Sequence, residues 1–307
     1  MNQISLKAAM AVKSAINPAL KTAWWMIRLT VIISFAINVL QYFGAVDLFA
    51  RLLNPVFGLA GLPGESALVF ISAYFVNIYS AIAVIVTLNL DIRSITILAV
   101  MCLCAHNMII ETAVQQKTGS SPLRMILLRT FAAILSAFVL NLLLPSQEVS
   151  INQPVNHSVA PIATVALNWV VTTGKLILKM FFLILFLNIL QRLLAEFGII
   201  RIMSKIMRPI LKIFGLPAKT SFLWIVANVL GLAYGAAVMI EEAKSGKVSK
   251  RDIDLLNHHI AVSHSNIEDI SLFLSIGAGL WWMLVPRWIM AAAAVWTRRI
   301  FNRRRLN

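Results

Sequence analysis

Long apolar segments constrain the fold of this chain more than any other feature of its sequence. Eight of them, most close to 20 residues long and poor in charge, follow one another along the chain. A helix needs about 20 apolar residues to cross a hydrocarbon core of roughly 30 Å, so the segments predict an all-α polytopic membrane protein. The hydrophobic share of 60% is too high for an ordinary soluble domain. The segments are Thr22–Gln41, Ser66–Leu88, Ile95–Gln115, Met125–Leu144, Val170–Leu190, Thr220–Met239, Leu256–Ile276 and Leu280–Trp296.

The first four segments resemble the last four, and a polar connector, Pro145–Pro161, separates the two sets. Matching motifs occur in the same order in both sets, at offsets that grow from 150 through 154 to 158 residues. They are Asn38–Gln41 with Asn188–Gln191, Asn54-Pro55 with Arg208-Pro209, Gly61–Pro63 with Gly215–Pro217, and His106-Asn107 and Glu111 with His264-Ser265 and Asp269. Because order and spacing persist across most of each half, the sequence predicts two homologous repeats.

The distribution of Lys and Arg predicts the side of the membrane on which each loop lies. The N-terminus is basic, with Lys7, Lys13 and Lys21, and is predicted to be cytoplasmic; the basic stretch Arg192–Lys219 is as well. The connector Pro145–Pro161 has no Lys or Arg and is predicted to be external. Three crossings per half fit this pattern, whereas four would return the connector to the cytoplasm. Charge therefore favours two inverted repeats, with eight ordinary helices in parallel repeats as the alternative.

One apolar segment in each half must then enter and leave the membrane on the same side. Ser66–Leu88 and Thr220–Met239 are the candidates for these re-entrant helical hairpins, with Asn77 and Asn228 near the breaks. Broken backbone is tolerated at membrane depth only where protein or a water-filled cavity covers it. In transporters built from inverted repeats, discontinuous helices of this kind form the binding site.

Each half also contains a shorter segment that is predicted to lie along the membrane surface. In Ile199–Phe214, basic side chains recur at helical spacing opposite Ile, Met and Leu, as in interfacial amphipathic helices. Its counterpart, Val46–Leu59, carries only one acid and one base. The predicted organisation is a cytoplasmic N-terminus at 1–20, a first repeat at 21–145, an external connector at 146–165, a second repeat at 166–300 and a basic cytoplasmic tail at 301–307.

Ionisable and polar side chains inside the apolar segments are the candidates for function, because burying such groups in lipid is costly. In continuous helices, His264 and Glu268 would share a face, whereas His106 and Glu111 would diverge by about 140°. Imidazoles and carboxylates suit cation binding, proton exchange or hydrogen bonding to a polar substrate. The predicted substrate- or ion-binding residues are His106, Asn107, Glu111, His264, Ser265, Asn266, Glu268, Asp269, Asn77 and Asn228.

Structural roles are the alternative for several of these residues. His106 and Glu111 would instead be solvated at a cytoplasmic end, or paired with Lys117 or Arg124, and the asparagines would bond between helices. His258 and His259 lie near a basic loop and are expected to face water. Cys102 and Cys104 are expected to be core residues, because their spacing does not match CxxC.

The repeated Gly-Leu-Pro, the polar hairpin candidates and the His-Asn and His-Ser motifs resemble the nucleoside-recognition or Gate domain family of bacterial membrane proteins. That family includes the spore maturation proteins A and B, and similar segments occur in the membrane half of ferrous-iron permeases and in concentrative nucleoside transporters. The resemblance covers Ala45–Gly119 and Ala195–Gly279. It implies recognition of a nucleoside or nucleobase, although the chain lacks the cytosolic GTPase domain of the iron permeases.

These patterns predict a multi-pass protein of the inner membrane, with both termini cytoplasmic, that transports a small polar solute or an ion between its two repeats. A non-transporting scaffold of the spore-maturation type and a divalent-cation permease are the alternatives. No GxxxxGK[ST], HExxH, CxxC or GxSxG motif occurs, so no enzyme and no cofactor are predicted. The net charge of +15 is assigned to loops that face anionic lipid rather than to nucleic acid, and a homo-oligomer is left open.

Overall fold

A computed structural model describes residues 3–88, 90–145, 161–246 and 248–304. Within these ranges every regular element is a helix and there is no strand, which confirms the prediction of an all-α protein. The predicted external connector lies mostly outside the described residues, and so does the end of the basic tail.

The helices of the two halves follow one another in the same order. The first half contains α1 (Gln3–Tyr42), α2 (Ala45–Gly58), α3 (Ser66–Phe75), α4 (Ile78–Ile85), α5 (Ile92–Cys104), α6 (Met108–Lys117) and α7 (Pro122–Leu143). The second contains α8 (Ile162–Glu196), α9 (Ile199–Ile213), α10 (Ser221–Val229), α11 (Gly231–Ser245), α12 (Lys250–Val262), α13 (Glu268–Leu274) and α14 (Leu280–Arg304). A short 3₁₀ turn, Ala218–Thr220, precedes α10.

Four stretches of the described residues are long and apolar enough to cross a membrane, compared with the six crossings that the sequence predicts. The two other predicted crossings lie in the second half. Leu256–Ile276 contains three histidines and two acids, and Leu280–Trp296 carries Arg287 in the interior of α14. The four candidate spans are Gln3–Tyr42, Ile92–Lys117, Pro122–Leu143 and Ile162–Glu196.

The two longest helices, α1 and α8, pack against each other along a seam of small side chains. Ala11, Ala15, Ala19 and Ala23 are buried on one face of α1, because residues four apart share a face of a helix and alanine permits close approach. The two helices run antiparallel. Arg192, late in α8, donates to the Ser14 hydroxyl at 2.9 Å, while Trp169, early in α8, donates to Ser34, late in α1.

Both segments that are predicted to form hairpins contain a break. Helices α3 and α4 are 10 and 8 residues long and rise about 15 and 12 Å, so neither can cross the bilayer alone. Asn77 caps α4 by accepting a hydrogen bond from the backbone of Ser80 at 3.0 Å. In the second half the break lies between α10 and α11, where Gly231 adopts a φ of 77°. Whether the two hairpins are re-entrant stays a prediction.

Helix α9 has the amphipathic pattern expected of an interfacial helix. Its one buried face packs on α10, where Ser204 and Ser221 share a hydrogen bond at 3.0 Å. Ile202 and Ile206 are 56% and 64% exposed, so they are available to insert into lipid. The basic side chains of Arg201, Lys205, Arg208 and Lys212 are all exposed.

Candidate functional site

Two interrupted helices meet in the centre of the molecule and form the candidate site. The first ends at Cys104 and resumes at Met108, and the second ends at Val262 and resumes at Glu268. Within the breaks, Asn107 and Ser265 adopt φ values of 46° and 49°. A left-handed conformation costs a residue with a Cβ about 1–2 kcal/mol, so tertiary contacts must hold both breaks open.

Backbone hydrogen bonds from the hairpins provide part of that support. The Asn107 amide donates to the carbonyl of Ala73, in α3, at 2.9 Å. The Ser265 amide donates to the carbonyl of Ala227, in α10, at 3.0 Å. Each break therefore rests on the hairpin of its own half, through the same contact in both halves.

Arg129 of α7 holds the first break. It is fully buried, and it donates to the carbonyls of Cys104 at 3.1 Å and His106 at 2.5 Å. These carbonyls lie where α5 ends and so lack helical partners, and a cation is favoured at the negative end of the helix dipole. The same guanidinium also lies 2.7 Å from Glu111 Oε2, in a buried ion pair.

Arg287 of α14 does the same for the second break. It is also fully buried, and it donates to the carbonyls of Val262 at 3.1 Å and His264 at 2.9 Å. It also donates to the side chain of Asn266 at 3.1 Å and to the carbonyl of Leu103, in the first half, at 3.5 Å. Arg287 lies 158 residues after Arg129, which is also the offset between His106 and His264.

Four ionisable side chains form a cluster where the two breaks meet. The rings of His106 and His264 lie 5.0 Å apart between centroids. Glu111 Oε1 lies 3.0 Å from His106 Nε2 and 3.3 Å from His264 Nε2. Asp269 Oδ2 lies 3.5 Å from His106 Nε2. Each half contributes one histidine and one acid, so neither half contains the cluster alone.

Hydrogen bonds fix which nitrogen of each histidine faces the carboxylates. His106 Nδ1 lies 2.9 Å from the carbonyl of Cys102. His264 Nδ1 lies 2.7 Å from the carbonyl of Ile260. Since a carbonyl can only accept, each Nδ1 carries the proton of the neutral ring and each Nε2 presents a lone pair. Both lone pairs then face Glu111 Oε1, an arrangement that is repulsive unless a proton or a metal cation lies between them.

The geometry of the cluster corrects two expectations from the sequence. His106 and Glu111 do not diverge but touch, because the chain turns at Asn107 instead of continuing as a helix. Glu268 does not share a face with His264, because α12 ends before that histidine and Glu268 begins α13. The alternative of a solvated Glu111 does not hold either, since Glu111 is buried against Arg129.

A cavity of about 390 Å³ lies beside the cluster. Glu268 lines it, and the carboxylate accepts hydrogen bonds from the Tyr79 hydroxyl at 3.0 Å and the Gln191 amide at 3.4 Å. The next residue, Asp269, contacts His106 instead. Two adjacent acids therefore connect the cavity to the buried cluster. The cavity is also lined by Asn188 and Arg192.

The predicted asparagines lie around the cluster rather than in it. Asn228 accepts from Asn266 at 2.6 Å and donates to the carbonyl of Trp224 at 2.9 Å. Asn77 caps α4, as described above. These bonds give both asparagines of the hairpins structural partners, and a role for them in binding solute stays a prediction.

His258 and His259 do not face water, contrary to expectation. Both are buried, and His259 Nδ1 accepts a hydrogen bond from the indole of Trp224 at 3.1 Å. The sequence places them near a basic loop, but α12 turns this face toward the core. Cys102 and Cys104 are buried and unpaired, as expected of core residues.

The two arginines are the site residues that the sequence analysis missed. Arg129 and Arg287 lie within the apolar segments Met125–Leu144 and Leu280–Trp296, and neither is among the predicted binding residues. Their shared offset of 158 residues with the histidine motif was the signal that could have identified them. An arginine inside an apolar segment is expected to have a buried partner.

Comparisons with known proteins agree with the motifs. A sequence model of the family described as nucleoside recognition, the Gate domain, matches residues 23–142, which include the first half of the cluster. The uncharacterized membrane protein YvoD of Bacillus subtilis (strain 168) is 30% identical over 271 residues, which cover 87% of this chain and 87% of that protein. The chain belongs to the nucleoside-recognition (Gate) family of membrane proteins. No solved structure matches it.

Proposed function

We propose that this Gate-family protein is a secondary transporter of the inner membrane that carries a small polar, nucleoside-like solute together with a proton. The observation that carries the proposal is the buried cluster in which two histidine lone pairs face one carboxylate oxygen, Glu111 Oε1. Such a cluster needs a bound cation, and ionisable groups are retained at membrane depth mostly where they serve a solute or proton pathway.

The orientation of matching helices supports an inverted-repeat transporter. Matching helices α7 and α14 run in opposite directions, because Arg124 at the start of α7 and Arg298 near the end of α14 both contact Asp254. The matching pair α1 and α8 is antiparallel as well. In transporters with inverted repeats, the solute site lies where discontinuous helices of the two repeats meet. The histidine cluster lies where the interrupted helices of the two halves meet, which supports this organisation.

The cavity beside Glu268 is the proposed solute site. Its volume of about 390 Å³ lies within the range of sites that hold small organic molecules. Tyr79, Gln191 and Glu268 offer a phenol, an amide and a carboxylate, which suit the hydroxyls and ring nitrogens of a nucleoside. Because Glu268 and Asp269 are adjacent in the chain, solute binding at one is coupled to the charge of the cluster through the other.

Divalent-cation transport is the second candidate, because the same cluster offers suitable ligands. One ligand atom from each of His106, Glu111 and His264 lies within 4.8 Å of the others, as in sites for transition metals. The Arg129 guanidinium, 2.7 Å from the other oxygen of Glu111, weighs against a divalent ion because it already neutralises that carboxylate. A proton needs less negative charge than a divalent ion, so proton coupling is favoured.

Uptake by reconstituted protein tests the proposal. Purified protein in liposomes is expected to accumulate labelled uridine when the outside is more acidic than the inside. Glu111→Gln and His264→Ala are expected to abolish this uptake, because each removes one of the groups that share the cation. Glu241→Gln, a change of the same kind at an exposed acid, is expected to leave it intact.

Two results would contradict the proposal. Uptake that does not respond to the proton gradient would show that the solute is not carried together with a proton. Uptake that survives both cluster variants would show that the cluster is structural. Accumulation of Mn²⁺ or Fe²⁺ in place of a nucleoside, lost in the same variants, would favour the second candidate. Each variant must first elute from size exclusion as the wild type does.

A further inference from the structure

An apolar groove runs between α7 and α14, away from the histidine cluster. Its volume is about 790 Å³, and its walls are almost entirely aliphatic and aromatic. Leu127 and Phe131 of α7 are more than half exposed, and Phe301 of α14 is as well. Because α7 is a candidate membrane span, this exposed apolar surface is expected to face lipid tails.

A basic pocket adjoins the groove. The pocket has a volume of about 390 Å³ and contains four basic side chains and one acid. Arg124 and Arg298 line both the pocket and the groove, so the two cavities adjoin at these side chains. The charged residues of the pocket are Arg124, Lys250, Arg251, Arg298 and Asp254.

The single acid of the pocket does not balance its positive charge. Asp254 accepts hydrogen bonds from Arg298 at 2.7 Å and Arg124 at 3.4 Å, so one carboxylate holds two guanidinium groups in place. Lys250 and Arg251 are exposed at the start of α12 beside them. The pocket therefore carries a surplus of positive charge around the two guanidinium groups that Asp254 positions, which suits a phosphate group.

We infer that an anionic phospholipid binds here, with its phosphate in the basic pocket and an acyl chain in the groove between α7 and α14. Arg124 lies two residues after the start of a candidate membrane span, which is the depth of lipid headgroups. Basic pockets between helices on the cytoplasmic side are suited to anionic headgroups. The apolar groove and the basic pocket meet at the same two arginines, as the headgroup and tail of one lipid meet.

A second copy of the chain is a poorer occupant of this groove. A twofold interface would place the same basic pocket on both sides, and like charges facing each other repel. The chain offers few acids to relieve that repulsion, with 12 Asp and Glu against 27 Lys and Arg.

Lipid binding to purified protein tests the inference. In a neutral maltoside detergent, native mass spectrometry is expected to show that dioleoyl phosphatidylglycerol binds the wild type more tightly than dioleoyl phosphatidylcholine. The double variant Lys250→Gln/Arg251→Gln is expected to weaken phosphatidylglycerol binding by roughly 25-fold, about fivefold for each charge removed. The matched control Lys7→Gln/Lys13→Gln removes two exposed charges from α1, outside the pocket and the groove, and is expected to bind as the wild type does.

A third variant tests the groove itself. Ala294→Trp fills the groove and is expected to weaken binding of the dioleoyl lipid while leaving binding of inorganic phosphate unchanged. Equal binding of phosphatidylcholine, or equal losses in the α1 control, would overturn the inference. Binding of phosphate without any effect of Ala294→Trp would show an anion site only. A wild-type dimer that Ala294→Trp converts to monomer, without lipid binding, would show a protein interface and overturn it as well.

Discussion

The buried pair of Arg129 and Glu111 is a single-residue feature with a measurable effect on stability. Arg129→Gln leaves Glu111 charged and buried without its guanidinium, and removing one partner of a buried ion pair costs about 3–5 kcal/mol. The double variant Glu111→Gln/Arg129→Gln removes both charges and is expected to recover most of that loss. Denaturation of the purified protein in mixed micelles measures both values.

The double variant is not expected to recover fully. Arg129 also donates to two carbonyls at the end of α5, and each lost hydrogen bond costs about 1 kcal/mol. If Arg129→Gln is no less stable than wild type, or if the double variant is as unstable as the single one, the ion pair does not hold the break.

Gly231 is the second residue at which backbone conformation predicts an effect. Its φ of 77° is left-handed, so Gly231→Ala is expected to destabilise the protein by about 1–2 kcal/mol. The added Cβ would lie 3.4 Å from the Glu268 carboxylate, at an ordinary contact distance, so backbone strain is the cause. Gly174→Ala is the matched control: no atom lies within 4 Å of its Cβ, and within α8 it is expected to stabilise by up to about 1 kcal/mol. Thermal unfolding in detergent should therefore show opposite signs, and equal shifts would contradict the prediction.

At the scale of residues, the sequence predicts the members of the site better than their contacts. His106, Glu111, His264 and Asp269 are identifiable because polar groups in apolar segments are rare and the two motifs repeat. Their contacts are not, because Ala105-His106-Asn107 contains neither Gly nor Pro and so gives no local signal of a break. The break depends on bonds to residues far away in the chain, among them Arg129.

At the scale of elements, α9 distinguishes a transporter from a scaffold. Its basic face is exposed and lies outside the cluster, so in a transporter it only anchors the helix to the membrane. The triple variant Arg201→Gln/Lys205→Gln/Arg208→Gln is expected to keep uridine uptake within about twofold of wild type, as surface substitutions usually do. A scaffold would instead use this face to bind its partner. Loss of uptake in the triple variant, with the same amount of folded protein in the liposomes, would contradict the prediction.

Helix lengths were less predictable than helix order. The eight apolar segments all correspond to helices in the described residues, yet α1 and α8 extend well beyond the apolar stretches that identify them. In α1 the extension Gln3–Lys21 packs against α8 through the alanine seam. The sequence of this extension has few of the signals of a membrane span. Packing of one helix on another is a tertiary interaction, and hydropathy alone does not report it.

At the scale of the whole molecule, the antiparallel pairs α1 with α8 and α7 with α14 share one explanation. The inverted repeat proposed above would place each helix opposite its counterpart with the direction reversed, as in these two pairs. It would also bring the break of each half to the centre. A shared site then requires both halves, which explains why the histidine and acid of each repeat are incomplete alone.

Inversion predicts that matching residues lie on opposite sides of the membrane. Lys117 and Ser275 occupy matching positions at the ends of α6 and α13, at the 158-residue offset. In a background with Cys102→Ala and Cys104→Ala, Lys117→Cys is expected to react with a membrane-impermeant maleimide only from the cytoplasmic side. Ser275→Cys is expected to react only from the outside, because its loop lacks Lys and Arg. Labelling of intact cells and of inverted vesicles measures this directly. If both cysteines react from the same side, the repeats are parallel and the proposed crossing pattern is wrong.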